Sequence, residues 1–198
     1  MSRGRVCKYD ESMKALILLA EGCEEMEAVI VMDTLRRGGV TVKAAGLSAG
    51  PVTASRGVVL HPDVALDDLS DAKNYDVLIL PGGLPGTDAL REDSRVRDLL
   101  LAYSGDASKR VAAICAAPTI LDGLGLLEGR RFTCYPALKE TCSGGGIWLD
   151  EKVVQDDRLI TSQGPGTSFD FALRILAALA GKEAAAEVAE GMLVTCPG

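Results

Sequence analysis

Histidine is almost absent from this chain: His61 is the only one in 198 residues. Zinc sites of the mixed cysteine and histidine kind therefore have almost no material, and neither a metal nor another cofactor is expected. Long apolar runs are also missing. No segment approaches the ~20 apolar residues of a membrane span, and Met1 to Lys14 is too polar and charged for a signal peptide. The expectation is a cytoplasmic protein with no membrane partner. Nor is there a basic stripe. The net charge is -7, with 21 Lys and Arg against 28 Asp and Glu, which argues against specific nucleic-acid binding.

Six cysteines are present, Cys7, Cys23, Cys115, Cys134, Cys142 and Cys196, but no Cys-x-x-Cys pair. Scattered through a chain long enough to bury a core, they are read as reduced thiols rather than as a disulfide framework. No linker, charge block or internal repeat divides the sequence. Residues 1–13 are expected to be a disordered or extra N-terminal tail, and residues 14–198 a single domain.

Within that domain strands and helices alternate. Lys14 to Ala20 reads as a strand, and the loop from Glu21 to Glu25 leads into a helix ending near Arg37, closed by Gly38 and Gly39. Val40 to Ala45 is a second strand, and Val52 to Leu60 an extended excursion ended by His61-Pro62-Asp63. Tyr75 to Leu80 is a third strand, followed by Pro81-Gly82-Gly83-Leu84-Pro85-Gly86. A helix from about Ser94 to Tyr103 returns the chain to a buried strand, Val111 to Ile114. Ala116 to Leu127 is the next helix and Phe132 to Tyr135 another strand. Trp148 to Val154 and Arg158 to Ser162 can pair as a hairpin. Helices from Phe169 to Ala180 and Lys182 to Ala189 complete the chain. The alternation implies an α/β fold: a mostly parallel sheet with helices on both faces.

Ligands gather at the carboxyl ends of the strands in such folds. Cys115 lies there, where an apolar strand turns into a helix with Pro118 in its first turn. The helix N-terminus offers unpaired amides and a positive dipole end, which favour a thiolate. The competing account is inert packing, since free cysteine is often buried. Glu27 shares a helix face with Ile30, Val31, Thr34 and Leu35. Burial there would raise its pKa and make it an acid/base candidate; alternatively it serves only to favour the helix N-terminus. Gly82 and Gly83 could form an amide nest for an anion or oxyanion, or a simple turn. Tyr135 and Gly164-Pro165-Gly166 also follow strand ends. His61, before a proline and 54 positions ahead of Cys115, reads better as a surface or interface residue than as a catalytic partner.

Four motifs, Glu24-Glu25-Met26-Glu27, Leu80-Pro81-Gly82-Gly83, Ala112-Ala113-Ile114-Cys115-Ala116-Ala117-Pro118 and Thr161-Ser162-Gln163-Gly164-Pro165-Gly166-Thr167, together resemble the ThiJ/PfpI superfamily. The likeness is greatest to its DJ-one branch and spans Lys14 to about Val194. It implies a flavodoxin-like three-layer sandwich, usually a homodimer, with Cys115 as an oxidisable nucleophile and Glu27 as its protonated partner. Gly83 and Ala116 would supply backbone donors, and Gly82, Tyr135, Gly164, Pro165 and Gly166 would line the pocket. Activities attributed to the branch are glyoxalase without a cofactor, repair of glyoxal-modified proteins or nucleotides, redox sensing through a cysteine sulfinate, and chaperone-like protection.

The resemblance thus implies a glyoxalase or deglycase whose partners are small reactive aldehydes or glycated adducts. The alternative is a redox sensor or chaperone-like protein working through oxidation of Cys115 without turnover. A cysteine peptidase fits less well. Some members carry histidine where this chain has Tyr135, and a phenol titrates near ~10, a poor base at neutral pH. No nucleotide-binding loop supports the thiamine-biosynthesis role in the superfamily's older label.

Overall fold

Strands whose apolar residues run without a break need cover on both faces, and the sheet that forms here supplies it. The computed structural model describes residues 13–195. The expected tail, residues 1–13, lies outside the described residues apart from Met13.

In chain order the elements are β1 Lys14–Leu19, α1 Glu25–Arg37, β2 Thr41–Gly46, β3 Val52–Thr53, β4 Val59–Leu60, β5 Val64–Ala65, β6 Val77–Leu80, α2 Leu84–Glu92, α3 Ser94–Gly105, β7 Arg110–Ile114, α4 Pro118–Gly123, β8 Arg131–Phe132, β9 Ile147–Trp148, β10 Val153–Asp156, β11 Leu159–Ser162, α5 Ser168–Ala180 and α6 Lys182–Gly191. Seven strands form one sheet in the order β10-β11-β7-β6-β1-β2-β5. Every pairing in it is parallel except β10 with β11.

The pleat sends alternate residues to opposite faces. In β1, Ala15, Ile17 and Leu19 enter one core with Val31 and Leu35 of α1, Phe171 and Ile175 of α5 and Val188 of α6. Leu16 and Leu18 enter the other, with Leu90 of α2, Val96 and Leu100 of α3 and Leu121 of α4. Helices thus cover both faces, and the three-layer, flavodoxin-like α/β expectation holds. β1, β6, β7 and β11 are neighbours running the same way, so the loops after them open at one end of the sheet.

Several elements differ from expectation. The Val52 to Leu60 excursion is an antiparallel hairpin, β3 with β4. Leu84–Glu92 is a helix rather than a turn: Pro85 stands in its first turn, where a missing N–H costs nothing. Gly86 lies so close to the preceding loop that a Cβ would meet Cys23 N at 2.6 Å. The helix expected to reach Leu127 stops at Gly123, and Gly125 with φ 71 supplies the left-handed turn that ends it. Pairing of β8 ends at Phe132 because the Thr133 amide donates to the side-chain Thr161 Oγ1 at 2.9 Å. Trp148 pairs with Phe132 of β8, outside the β10–β11 hairpin.

Candidate active site

Cys115 is the first residue beyond β7, and its backbone is locked on both sides. Its amide donates to Ser162 O at 2.9 Å, and its carbonyl accepts from the Tyr135 amide at 2.8 Å. Its φ is 64, a left-handed conformation uncommon for a residue with a Cβ. The strand therefore turns sharply and lifts the sulfur into the mouth of a cleft. The amides of Gly83 and Ala116 both donate to the sulfur and favour its charged form.

Glu27 reaches the same point from α1. Glu24 caps that helix, its carboxylate accepting the Glu27 amide at 2.7 Å. Ala28, Val31, Thr34 and Leu35 are buried alongside Glu27, so its face of the helix packs inward and carries a carboxyl at its first turn. Glu27 is 0% exposed. Its Oε2 accepts the Gly82 amide at 2.7 Å, while Oε1 is buried without an N–H or O–H partner. The carboxyl faces the Cys115 thiol, and burial pushes its pKa up from 4.5 to about 7.

The expectation that the helix N-terminus would by itself favour a thiolate needs correction. Burial first, and then the Glu27 carboxylate, push the Cys115 thiol up to about 12, against the opposing pull of the two amides. Sulfur and carboxyl titrate as a pair. Between those two values the pair holds one proton and one negative charge, so a thiolate exists here when the proton sits on Glu27.

Gly82 makes this contact possible. A Cβ on it would lie 2.5 Å from Cys115 Cβ and 2.9 Å from Glu27 Oε2. Gly83, with φ 85, has no room either: a Cβ would stand 2.3 Å from Gly22 O. Gly164 borders the site from the β11 side, where a Cβ would be 3.5 Å from the Tyr135 ring and 4.0 Å from Cys115 Sγ.

The cleft in front of Cys115 has a volume of about 600 Å³, and Gly83, Ala116, Tyr135 and Pro165 share its lining. Gly166 does not belong there. It is exposed, absent from that lining, and a Cβ on it would meet nothing within 4 Å. His61 is exposed at the end of β4 and takes no part in the lining, so no imidazole stands beside the thiol. Among the described residues no three His, Cys, Asp or Glu side chains group so as to hold a metal ion, and no helix is long and apolar enough to cross a membrane.

Sequence reasoning missed part of the wall. Glu24, Ser55, Arg56, Leu84, Pro85, Ala137 and Leu138 also face the cleft. Ser55 and Arg56 arrive on the β3–β4 turn, which is fastened to α1 where Ser55 Oγ and the Arg56 amide both donate to Glu25 at 2.9 Å. The Glu25 that follows the helix cap was the available signal, since a buried acid needs partners from elsewhere.

A mostly parallel sheet bearing a cysteine on a left-handed turn, beside a buried carboxyl, defines a class of α/β proteins with a thiol at the carboxyl ends of the strands. Within it the chain belongs to the DJ-1/PfpI family, which residues 13–178 match. It is 47% identical over 185 residues to Protein dj-1beta of Drosophila melanogaster, covering 92% of this chain and 98% of that protein. The crystal structure of Drosophila melanogaster DJ-1beta superposes with a TM-score of 0.89 at 46% identity, covering 93% of this chain and 99% of that one. Glutathione-independent glyoxalase DJR-1.2 of Caenorhabditis elegans is 43% identical over 171 residues, covering 85% of this chain and 90% of that protein.

Proposed function

We propose that this protein is a cysteine-dependent, cofactor-independent glyoxalase or deglycase acting on methylglyoxal or glyoxal and their early adducts. The observation that carries the reading is the contact of Cys115 with both the buried Glu27 carboxyl and the Gly83 and Ala116 amides. The similarity to a protein named as a glutathione-independent glyoxalase supports it.

The sulfur, with the proton on Glu27, adds to the aldehyde carbon of methylglyoxal. Glu27 protonates the resulting oxyanion, which the Gly83 and Ala116 amides stabilise as charge leaves the sulfur. The product is a hemithioacetal. The Glu27 carboxylate then takes the proton from the former aldehyde carbon, giving an enediolate whose two oxygens share the remaining hydroxyl proton. Returning that proton to the neighbouring carbon gives a lactoyl thioester. Water hydrolyses the thioester, releasing lactate and the free thiol. Methylglyoxal and water thus become lactate and a proton, with no net oxidation. Cys115→Ser abolishes lactate formation on this scheme; a variant with full turnover overturns it.

A second reading is redox sensing. Two amides and a carboxylic acid directed at one sulfur also suit a cysteine sulfinate, whose oxygens accept hydrogen bonds. Mass spectrometry after mild peroxide tests it: selective gain of two oxygens on Cys115 supports sensing, and equal oxidation of the other thiols defeats it. The proposal includes a homodimer, for which exposed Met26 and Val29 of α1 and Val58 and Val59 of the β3–β4 hairpin offer apolar surface. It also includes a cytoplasmic setting, consistent with the free thiols of Cys23, Cys115, Cys134 and Cys142.

A further inference from the structure

A second pair of thiols stands behind the wall of the Cys115 cleft. Cys134 follows β8 and is 0% exposed within the core on that face, while Cys142 is partly exposed and packs against the same core. The two bracket the short helical segment Pro136–Thr141; the Cys134 thiol donates to Tyr135 O at 3.5 Å, and the sulfurs lie close enough for each to shift the other's ionisation. The indole N–H of Trp148, buried and otherwise without a partner, is directed at the Cys134 sulfur. Between the cysteines the chain is folded back on itself: the Leu138 amide donates to Tyr135 O at 2.8 Å and the Cys142 amide to Lys139 O at 3.2 Å. Tyr135, Ala137 and Leu138 on this loop form one side of the cleft, and the Tyr135 amide holds the Cys115 carbonyl.

We propose that Cys134 and Cys142 are a peroxide-reactive dithiol whose disulfide ties the base of the 135–138 loop and stiffens that wall of the cleft. The more exposed Cys142 reacts first. The neighbouring Cys134 lowers its pKa, while Cys142 and burial hold that of Cys134 high. The Cys142 thiolate attacks one peroxide oxygen, the O–O bond breaks, and the other oxygen leaves as water, giving a sulfenic acid. Cys134 sulfur then attacks the sulfenic sulfur, its proton goes to the departing hydroxyl, and a second water leaves. Two thiols and one peroxide become one disulfide and two waters. This inference goes beyond the glyoxalase reading and does not depend on turnover at Cys115.

The test uses the full-length chain carrying Cys115→Ser, which removes the competing thiol, treated with mild hydrogen peroxide, alkylated and digested with trypsin. Lys139 lies between the two cysteines, so a disulfide joins peptides 132–139 and 140–152. They are expected as one species two hydrogens lighter than their sum, separated by reductant, and absent from a Cys134→Ala variant, where Cys142 gains oxygen instead. In the oxidised intact protein, hydrogen exchange at the Leu138 and Cys142 amides should slow by about tenfold. Alkylation of both cysteines at untreated levels, or Cys142 sulfinate accumulating while Cys134 is present, overturns the disulfide. A disulfide with unchanged exchange overturns the stiffening. Loss of lactate formation from the otherwise unmodified chain would bear on the glyoxalase reading alone.

Discussion

Glu27 and Cys115 share a proton across the space that Gly82 leaves vacant. The carboxyl, pushed up to about 7 by burial, and the thiol, pushed up to about 12 by burial and by that carboxyl, come from helix α1 and from the turn after β7 and meet only in the folded chain. Replacing Glu27 with Gln keeps the shape and removes the proton carrier. Glu27→Gln should lower kcat for methylglyoxal by ~10²–10⁴-fold, the range for loss of a general acid/base. The wild-type rate should rise with pH through about 7, as the pair loses its first proton, and the residual rate of the variant should lack that limb. A lactate assay across pH reads both. An unchanged limb in Glu27→Gln would assign the titration to another group.

The space itself is the next target. Gly82→Ala puts a methyl 2.5 Å from Cys115 Cβ and 2.9 Å from Glu27 Oε2, and neither the backbone of Cys115 nor the α1 helix can yield cheaply. Activity should fall by at least ~10²-fold through misplacement of the pair. A circular dichroism spectrum like the wild type's, with a thermal midpoint lower by several degrees, would place the damage at the site. Full activity would show that the close approach of sulfur and carboxyl is dispensable.

Stability should carry the same signature with a definite sign. The Glu27 carboxyl ordinarily titrates at 4.5 and in the fold at about 7. Between those values the unfolded chain has released a proton that the folded chain retains, so stability falls as pH rises. The penalty is absent below the lower value and complete above the higher one, on the order of 3 kcal/mol. Urea midpoints for wild type and Glu27→Gln, compared at pH 5 and 7.5, should diverge at the higher pH in favour of the variant. Parallel curves would mean that Glu27 ionises normally in the fold.

How much of this was legible beforehand follows from what kind of information each feature needs. The uninterrupted apolar strands around Ile17, Ile79 and Ala112 announced a sheet covered on both faces, and Cys115 at a strand end announced a site. The spacing of Glu27 with Val31, Thr34 and Leu35 placed an acid on a buried face. The state of the thiol was not legible, because it depends on Coulomb interaction with a carboxylate distant in sequence. Pro85 and Gly86 read as turn residues when they open α2, and only the Cys23 backbone facing Gly86 explains that glycine. Ser55 and Arg56 could not be assigned to the cleft from local pattern, since their place depends on hydrogen bonds to Glu25. Gly166, included for its place in a glycine motif, is exposed and absent from the cleft lining.

Tyr135 distinguishes a wall from a base. Its side chain is 46% exposed and borders the cleft, while its amide anchors Cys115 O at 2.8 Å. That anchor belongs to the backbone and survives any ordinary substitution. Tyr135→Phe retains the ring and removes only the hydroxyl, so kcat should stay within ~3-fold of wild type, far from the ~10²-fold or greater loss that marks a general base. Tyr135→Ala strips the ring from the wall and should raise KM for methylglyoxal with a smaller change in kcat, as expected when contacts made equally in ground and transition states are lost. If Tyr135→Phe instead matched Glu27→Gln in kcat and abolished the pH limb near 7, the phenol would be the proton carrier and the role given to Glu27 would pass to it.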